Sequence, residues 1–358
     1  MAGYEYGNAR LRAMRSRLLS AADLNKLAEA GSLADLIGLL SDTPYRKALE
    51  ISLVQTSDLQ SIDEALRRDF IQTVSGIRGF YSGSERELVD LFLRAFDVHN
   101  LKTILRGLSR QSSRSEIERA MLPVGELSAV VINELLRASS PRAAIDLLAT
   151  IRHPFAQPLL VLRAERPGAD LFEMELALDQ WRCREAARVL KGAQDGAALS
   201  RAALNLEADI ANLMVVLRFL HSAEEQRHLK RRVEQAGLER LFIEAGSLPA
   251  SRLARLYGAN SVKAAVDLLQ DVPFAAALRE GFKEYEKTSR LSEIERALRR
   301  YQLCWLAWQI AKDPLGIGVF LGYLALKNNE VANLRRIARG IQLRQGAETI
   351  RRELEFAP

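Results

Sequence analysis

Hydrophobic positions along this chain recur at helical spacing, and no stretch longer than a few residues alternates with period two. LSAADLNKLAEAGSLADLIGLL at 19–40 puts Leu24 and Leu27 on one helical face. It breaks at a small-residue corner over 30–32 and resumes in a second short helix ending at Leu39-Leu40. LSAVVINELLRASSPRAAIDLL at 127–148 repeats that outline at an offset of 108, and LPASRLARLYGANSVKAAVDLL at 248–269 repeats it at an offset of 229, both without a gap. Leu24, Ile132 and Leu253 match, as do Leu27, Leu135 and Leu256. Ser20, Ser128 and Pro249 stand where a hydroxyl cap or a first-turn proline starts a helix. The pattern predicts three helix-corner-helix hairpins. Pro44-Tyr45, Pro154-Phe155 and Pro273-Phe274 follow them, a proline to break and an aromatic to re-enter the core.

A second signal keeps step with the first. DVHNLKTILR at 97–106, DIANLMVVLR at 209–218 and EVANLRRIAR at 330–339 share an acid, an Asn three residues on, a Leu after it, and an Arg six places beyond the Asn. The set is Asp97, Asn100 and Arg106; Asp209, Asn212 and Arg218; Glu330, Asn333 and Arg339. The prolines precede the asparagines by 56, 58 and 60 residues. Two distant signals that keep step three times mark an internal repeat of about 110–120 residues, longer than the common solenoid units. The expected fold class is all-α, with helical units at 1–110, 111–231 and 232–358 arranged as a pseudo-threefold funnel. An N-terminal helix around 6–18 should join a neighbouring unit, and the segment after Gly340 reads as a variable tail. Acid and Asn lie on one side of their helix, beside an apolar stripe. A buried amide needs partners, so the pair is expected to bond the backbone of a packed segment. Threefold repetition favours such a structural role over direct contact with a partner.

Composition narrows the class. The 358 residues can bury a large core and by size make two or three domains. With 48% hydrophobic and 27% charged residues the chain is ordered rather than disordered. Cys183 and Cys304, far apart, suggest a reducing compartment without a disulfide framework. The N-terminus lacks the apolar core of a signal peptide. The greasiest stretch, 301–327, is cut by Lys312-Asp313-Pro314 and is expected to form buried helices rather than a membrane span. The net charge of +6 suits an acidic protein partner or an anionic membrane surface. Basic runs at 227–232 and 351–352 have no interleaved aromatics, which argues against nucleic acid.

Catalytic chemistry is not visible. His99, His153, His221 and His228 have no metal-ligand spacing. GIGVFLG at 316–322 lacks the spacing of a dinucleotide fingerprint, and GANSVK at 258–263 is no phosphate loop. Carboxylates in EREL at 85–88 and ERLF at 239–242 have no opposed partner for acid–base work. No cofactor, metal or catalytic residue is expected.

Three segments carry a resemblance. YEYGNARLRAMRSRLL at 4–19, FLRAFDVHNLKTILRG at 92–107 and, above all, DPLGIGVFLGYLALKNNEVANLRRIARGI at 313–341 resemble the C subunit of bacterial and archaeal V-type (A-type) ATPases and ATP synthases. That family includes the d subunit of the eukaryotic V-ATPase. Lys327-Asn328-Asn329 departs from its pattern, where a second acid often precedes the glutamate. The resemblance implies a three-lobed helical funnel with no active site, peripheral on the cytoplasmic face of the membrane. It implies the D and F subunits of the central stalk and the membrane proteolipid ring as partners, and torque transmission for ATP-linked proton or sodium transport. A helical scaffold unrelated to rotation would share the repeat but need not bind such a ring. An enzyme would need polar groups with perturbed pKa values converging in a pocket.

Overall fold

The computed structural model describes residues 3–357 apart from 54–58, 193–194, 223–226, 228–229, 231–232 and 234–236. His228 and most of the basic run at 227–232 therefore lie outside the described residues. Among the described residues every regular element is helical. Helix α1, Glu5–Arg15, comes first. The first hairpin is α2, Ala21–Leu27, with α3, Leu33–Leu40. Then come α4, Arg46–Ser52, the long α5, Leu59–Ile77, and the longer α6, Gly83–Ser109, with the short α7, Arg114–Ala120, behind it. The order then repeats. The second hairpin is α8, Ala129–Leu135, with α9, Pro141–Thr150, followed by α10, Ala156–Glu165, α11, Leu171–Gly192, and α12, Ala197–His221. The third is α13, Ala250–Tyr257, with α14, Val262–Asp267, followed by α15, Ala275–Thr288, α16, Leu291–Lys312, α17, Gly318–Gln342, and α18, Ala347–Glu353.

Local chemistry explains the hairpins. Ser20 forms a capping box with Asp23, Ser128 Oγ accepts from the Val131 N–H, and Pro249 opens α13. At each corner a serine caps the second helix. Ser32, Ser140 and Ser261 accept from the N–H groups of Asp35, Ala143 and Ala264 at 3.1, 3.2 and 3.1 Å. Each such cap is worth about 1 kcal/mol. The second helices end less uniformly than their leucines suggest: α9 runs on to Thr150, whereas α14 stops at Asp267. Tyr45, Phe155 and Phe274 sit buried just ahead of α4, α10 and α15.

The chain divides into two compact units. One comprises Met1–Thr103, Ser112–Asn133 and Leu303–Pro358, the other Ile104–Gln111 and Glu134–Gln302. In the first, α17 packs against α5, α1 and α18, and Leu11, Phe70 and Phe320 are fully buried. Asn8 of α1 donates to the Gly316 carbonyl, tying the N-terminal helix to the turn before α17. In the second unit α10 packs on α11, and Phe155 meets Trp181 with ring centroids 4.8 Å apart. Among the described residues no helix is long and apolar enough to cross a membrane.

Candidate functional site

The signature residues lie from the midpoints of α6, α12 and α17 towards their C-termini, the arginines in the last turn, and all six acids and amides are buried. Each asparagine grips the backbone N–H and carbonyl of one residue with both ends of its amide. Asn100 donates to the Leu122 carbonyl at 2.9 Å and accepts from the Leu122 N–H at 2.7 Å. Asn212 does the same to Ile243 at 3.0 and 2.8 Å, and Asn333 to Glu355 at 2.7 and 3.1 Å. An amide side chain is the shortest group that offers a donor and an acceptor side by side.

Each acid holds the first residue of a hairpin. Asp97 accepts from the N–H groups of Glu126 and Leu127 at 2.7 and 3.1 Å. Asp209 accepts from those of Ser247 and Leu248, each at 3.0 Å. Glu330 accepts from the Leu19 N–H at 2.5 Å. Leu19, Leu127 and Leu248 are equivalent positions, each just ahead of a hairpin cap. The first signature thus fastens the second hairpin, the second fastens the third, and the third fastens the first.

The carboxylates come close enough only because of two glycines that sequence reasoning passed over. A Cβ at Gly125 would collide with the Asp97 carboxylate, and one at Gly246 with that of Asp209. Burial pushes the Asp97 carboxyl up to about 6, against the pull of its two backbone N–H bonds.

The segment after Gly340, expected to be a tail, follows the same pattern as the stretch ahead of the second hairpin. A constant offset of 233 maps Asp97, Asn100 and Leu122 onto Glu330, Asn333 and Glu355 without a gap. It also maps α7 onto α18 and the left-handed Gln111 (φ 55°) onto the left-handed Arg344 (φ 55°). Ile117 and Ile350 are both buried. The signal was present in the sequence: the Arg-Gly pairs at 106–107 and 339–340, with the isoleucines ten residues after each Gly.

The third junction differs in chemistry. Glu330 Oε1 also accepts from the Tyr45 hydroxyl at 2.6 Å and from Lys327 Nζ at 2.9 Å. Lys327 is itself buried and lies 2.8 Å from Asp69. Burial, then the Glu330 and Asp69 charges, hold the Tyr45 hydroxyl well above its ordinary pKa. Asp69 is the eleventh residue of α5, and the eleventh residues of α11 and α16 are Trp181 and Tyr301. Where the other repeats pack aromatic pairs at tilted and edge-on angles, the first places a charged cluster.

The signature arginines also reach forward. Arg106 pairs with Glu175 through two bonds at 2.6 and 2.5 Å, and Arg218 lies 3.6 Å from Glu295. Glu175 and Glu295 are the fifth residues of α11 and α16. Among the described residues Arg339 has no such glutamate. The histidines are structural where described: His99 bonds the Ala120 carbonyl and His221 the Tyr285 hydroxyl. Among the described residues no group of three metal-ligating side chains converges.

Residues 7–353 match the sequence profile of the ATP synthase (C/AC39) subunit family. The chain belongs to that family. It is 26% identical to the C subunit of the A-type ATP synthase of Methanocaldococcus jannaschii over 344 residues, covering 95% of this chain and 83% of the relative. It is 26% identical to the C subunit of the V-type ATP synthase of Deinococcus radiodurans, covering 98% and 91%. It is 28% identical to the C subunit of the A-type ATP synthase of Halorubrum lacusprofundi, covering 98% and 97%. As a member of the C/AC39 family the chain is a non-catalytic rotor component that couples the stalk of the synthase to its membrane ring.

Proposed function

We propose that this protein works as a three-part collar, built from helical units at 1–110, 111–231 and 232–358 about a pseudo-threefold axis. Its funnel receives the D and F subunits of the central stalk. Its other face meets the polar loops of the proteolipid ring at the cytoplasmic side of the membrane, and torque passes between them for proton or sodium transport. The observation that supports this reading is the cyclic order of the fastenings, in which the Glu330 carboxylate of the third repeat holds the first hairpin at Leu19. A coupler under torsion must resist shear at each joint, and every joint here has one amide clamp and one carboxylate on backbone N–H groups. Asp97, Asn100, Asp209, Asn212, Glu330 and Asn333 are then structural, buried against backbone, while Arg106, Arg218 and Arg339 lie on the outer side of the same helices.

The test is reconstitution. The purified chain should co-sediment with the proteolipid ring and with the D and F stalk subunits, and should restore ATP-linked ion transport to a complex lacking it. Ring binding should weaken from low salt to about 1 M, where the screening length is about 3 Å. The isolated protein should remain folded throughout, because its core is apolar. A chain that binds neither partner at any salt concentration would refute the proposal.

A further inference from the structure

We propose that Arg339 and its neighbours form a docking point for an acidic side chain of a partner polypeptide, an inference that rests on the rotor-coupler reading. The starting point is a break in the repeat. At the two equivalent places the signature arginine meets a glutamate of this chain, Arg106 with Glu175 and Arg218 with Glu295. At the third place the fifth residue of α5 is Asp63, one methylene shorter. Asp63 is taken by Arg335, whose Nε lies 3.4 Å from its Oδ1. Among the described residues no carboxylate lies within ion-pair distance of the exposed Arg339. The nearby Glu64 is held by Arg67 at 2.8 Å and Arg68 at 3.3 Å.

The place is also open. Arg339 lines a cavity of about 420 Å³ whose walls carry Arg67, Arg119 and Arg335 besides, against the carboxylates of Asp63 and Glu64. Four arginines face two carboxylates, Glu64 bonded to Arg67 and Asp63 within ion-pair distance of Arg335. The cavity therefore has an excess of positive charge and two guanidinium groups without a carboxylate, Arg339 and Arg119, the latter donating to Gln60 Oε1 instead. An acidic group entering it would complete the pair that Glu175 and Glu295 complete elsewhere. Exposed charge of this kind suits the rim of a protein–protein contact, where it speeds association and fixes register. A small-molecule site would instead be expected to surround its ligand with mostly apolar walls. The structure favours a polypeptide.

The experiment compares the full-length chain with Arg339→Glu and with Arg142→Glu, an exposed arginine outside the cavity that changes the net charge equally. Association with the stalk proteins and with the ring is followed by surface plasmon resonance from low to high salt. The expected result is a fall of about tenfold in the association rate for R339E with one of the two partners at low salt. R142E should change it less than twofold, and the difference should vanish near 1 M salt. Equal effects of the two substitutions, or none from R339E while the wild type binds both partners, would overturn the docking point and leave the coupler reading standing. Wild type that binds neither partner would refute the coupler reading itself. A calorimetric titration with inorganic phosphate supplies the remaining arm. Phosphate binding lost in R339E, with partner binding intact, would reassign the cavity to a small anion and overturn the proposal.

Discussion

Replacing Asn212 with leucine removes one clamp while keeping four side-chain heavy atoms branched at Cγ. Asn212 is 2% exposed, and its two bonds to Ile243 measure 3.0 and 2.8 Å. Each contributes about 0.5–1.5 kcal/mol net, so their loss costs about 1–3 kcal/mol. The orphaned N–H and carbonyl of Ile243 could raise the cost, but Ile243 is half-buried and water can reach part of that peptide. The apolar gain of a leucine, about 2 kcal/mol in a fitting slot, is largely forfeited because its methyl groups face two bare polar atoms. The balance is a net loss of about 1–3 kcal/mol. A chain with two compact units need not unfold in one step, so the assay must be local. Hydrogen exchange at the Ile243 amide should accelerate by roughly tenfold or more, and the urea midpoint of helix loss should fall. An unchanged midpoint together with an unchanged Ile243 exchange rate would refute the clamp. Unchanged stability with lost binding to the stalk or ring would move Asn212 from packing to an interface.

Three further outcomes follow from the same joints. Gly125→Ala and Gly246→Ala should each lower thermal stability, by about 1–3 kcal/mol, with the larger effect at Gly246, where φ of 129° adds backbone strain; Gly79→Ala, with open space around it, should be near neutral. Asp97, pushed up to about 6 in the folded chain, binds its proton more tightly there than when unfolded. Its contribution is complete below about pH 4 and lost as pH rises through 6, a change of up to about 3 kcal/mol. The stability difference between wild type and Asp97→Asn should therefore shrink from about pH 4 to about pH 7 in urea titrations, and a constant difference would contradict the assignment. Lys327→Met leaves Glu330 and Asp69 without their cation in a buried place and should cost about 3–5 kcal/mol by chemical denaturation. Adding Tyr45→Phe and Asp69→Trp, the residues of the second repeat, should recover part of it; no recovery would show that the cluster is not interchangeable with an apolar core.

The hairpins were legible in the sequence because both of their signals belong to side chains. Capping serines and leucines at helical spacing are visible as letters, and the structure places Ser20 and Ser128 at their caps. The partners of the signature residues were not legible, because they are backbone atoms. Leu122 and Ile243 are aliphatic and Glu355 is acidic, so no shared letter marks the position, yet each presents its N–H and carbonyl to an asparagine. The end of the chain is obscure in sequence for the same reason. Only a buried isoleucine and an Arg-Gly pair mark its likeness to the stretch after Arg106, whereas the likeness of its backbone extends to a left-handed residue at the same register. Lys327 was visible as a departure from the family pattern, but its partners Tyr45 and Asp69 lie 282 and 258 positions away, and only folding brings them together.

The bond from the Leu19 N–H to Glu330 also sets a timetable. During synthesis the second hairpin emerges after the carboxylate that fastens it, since Asp97 precedes Leu127, and the third follows Asp209 in the same way. The first hairpin has no such predecessor. Its carboxylate is made 311 residues later. At about 5–20 residues per second that is a wait of roughly 15–60 s. Through that interval the opening hairpin can fold on its caps alone, and the apolar face that α17 will cover stays open to water or to a chaperone. A ribosome that stalls anywhere before Glu330 would therefore release a chain whose later joints can be formed while its earliest hairpin is still unfastened.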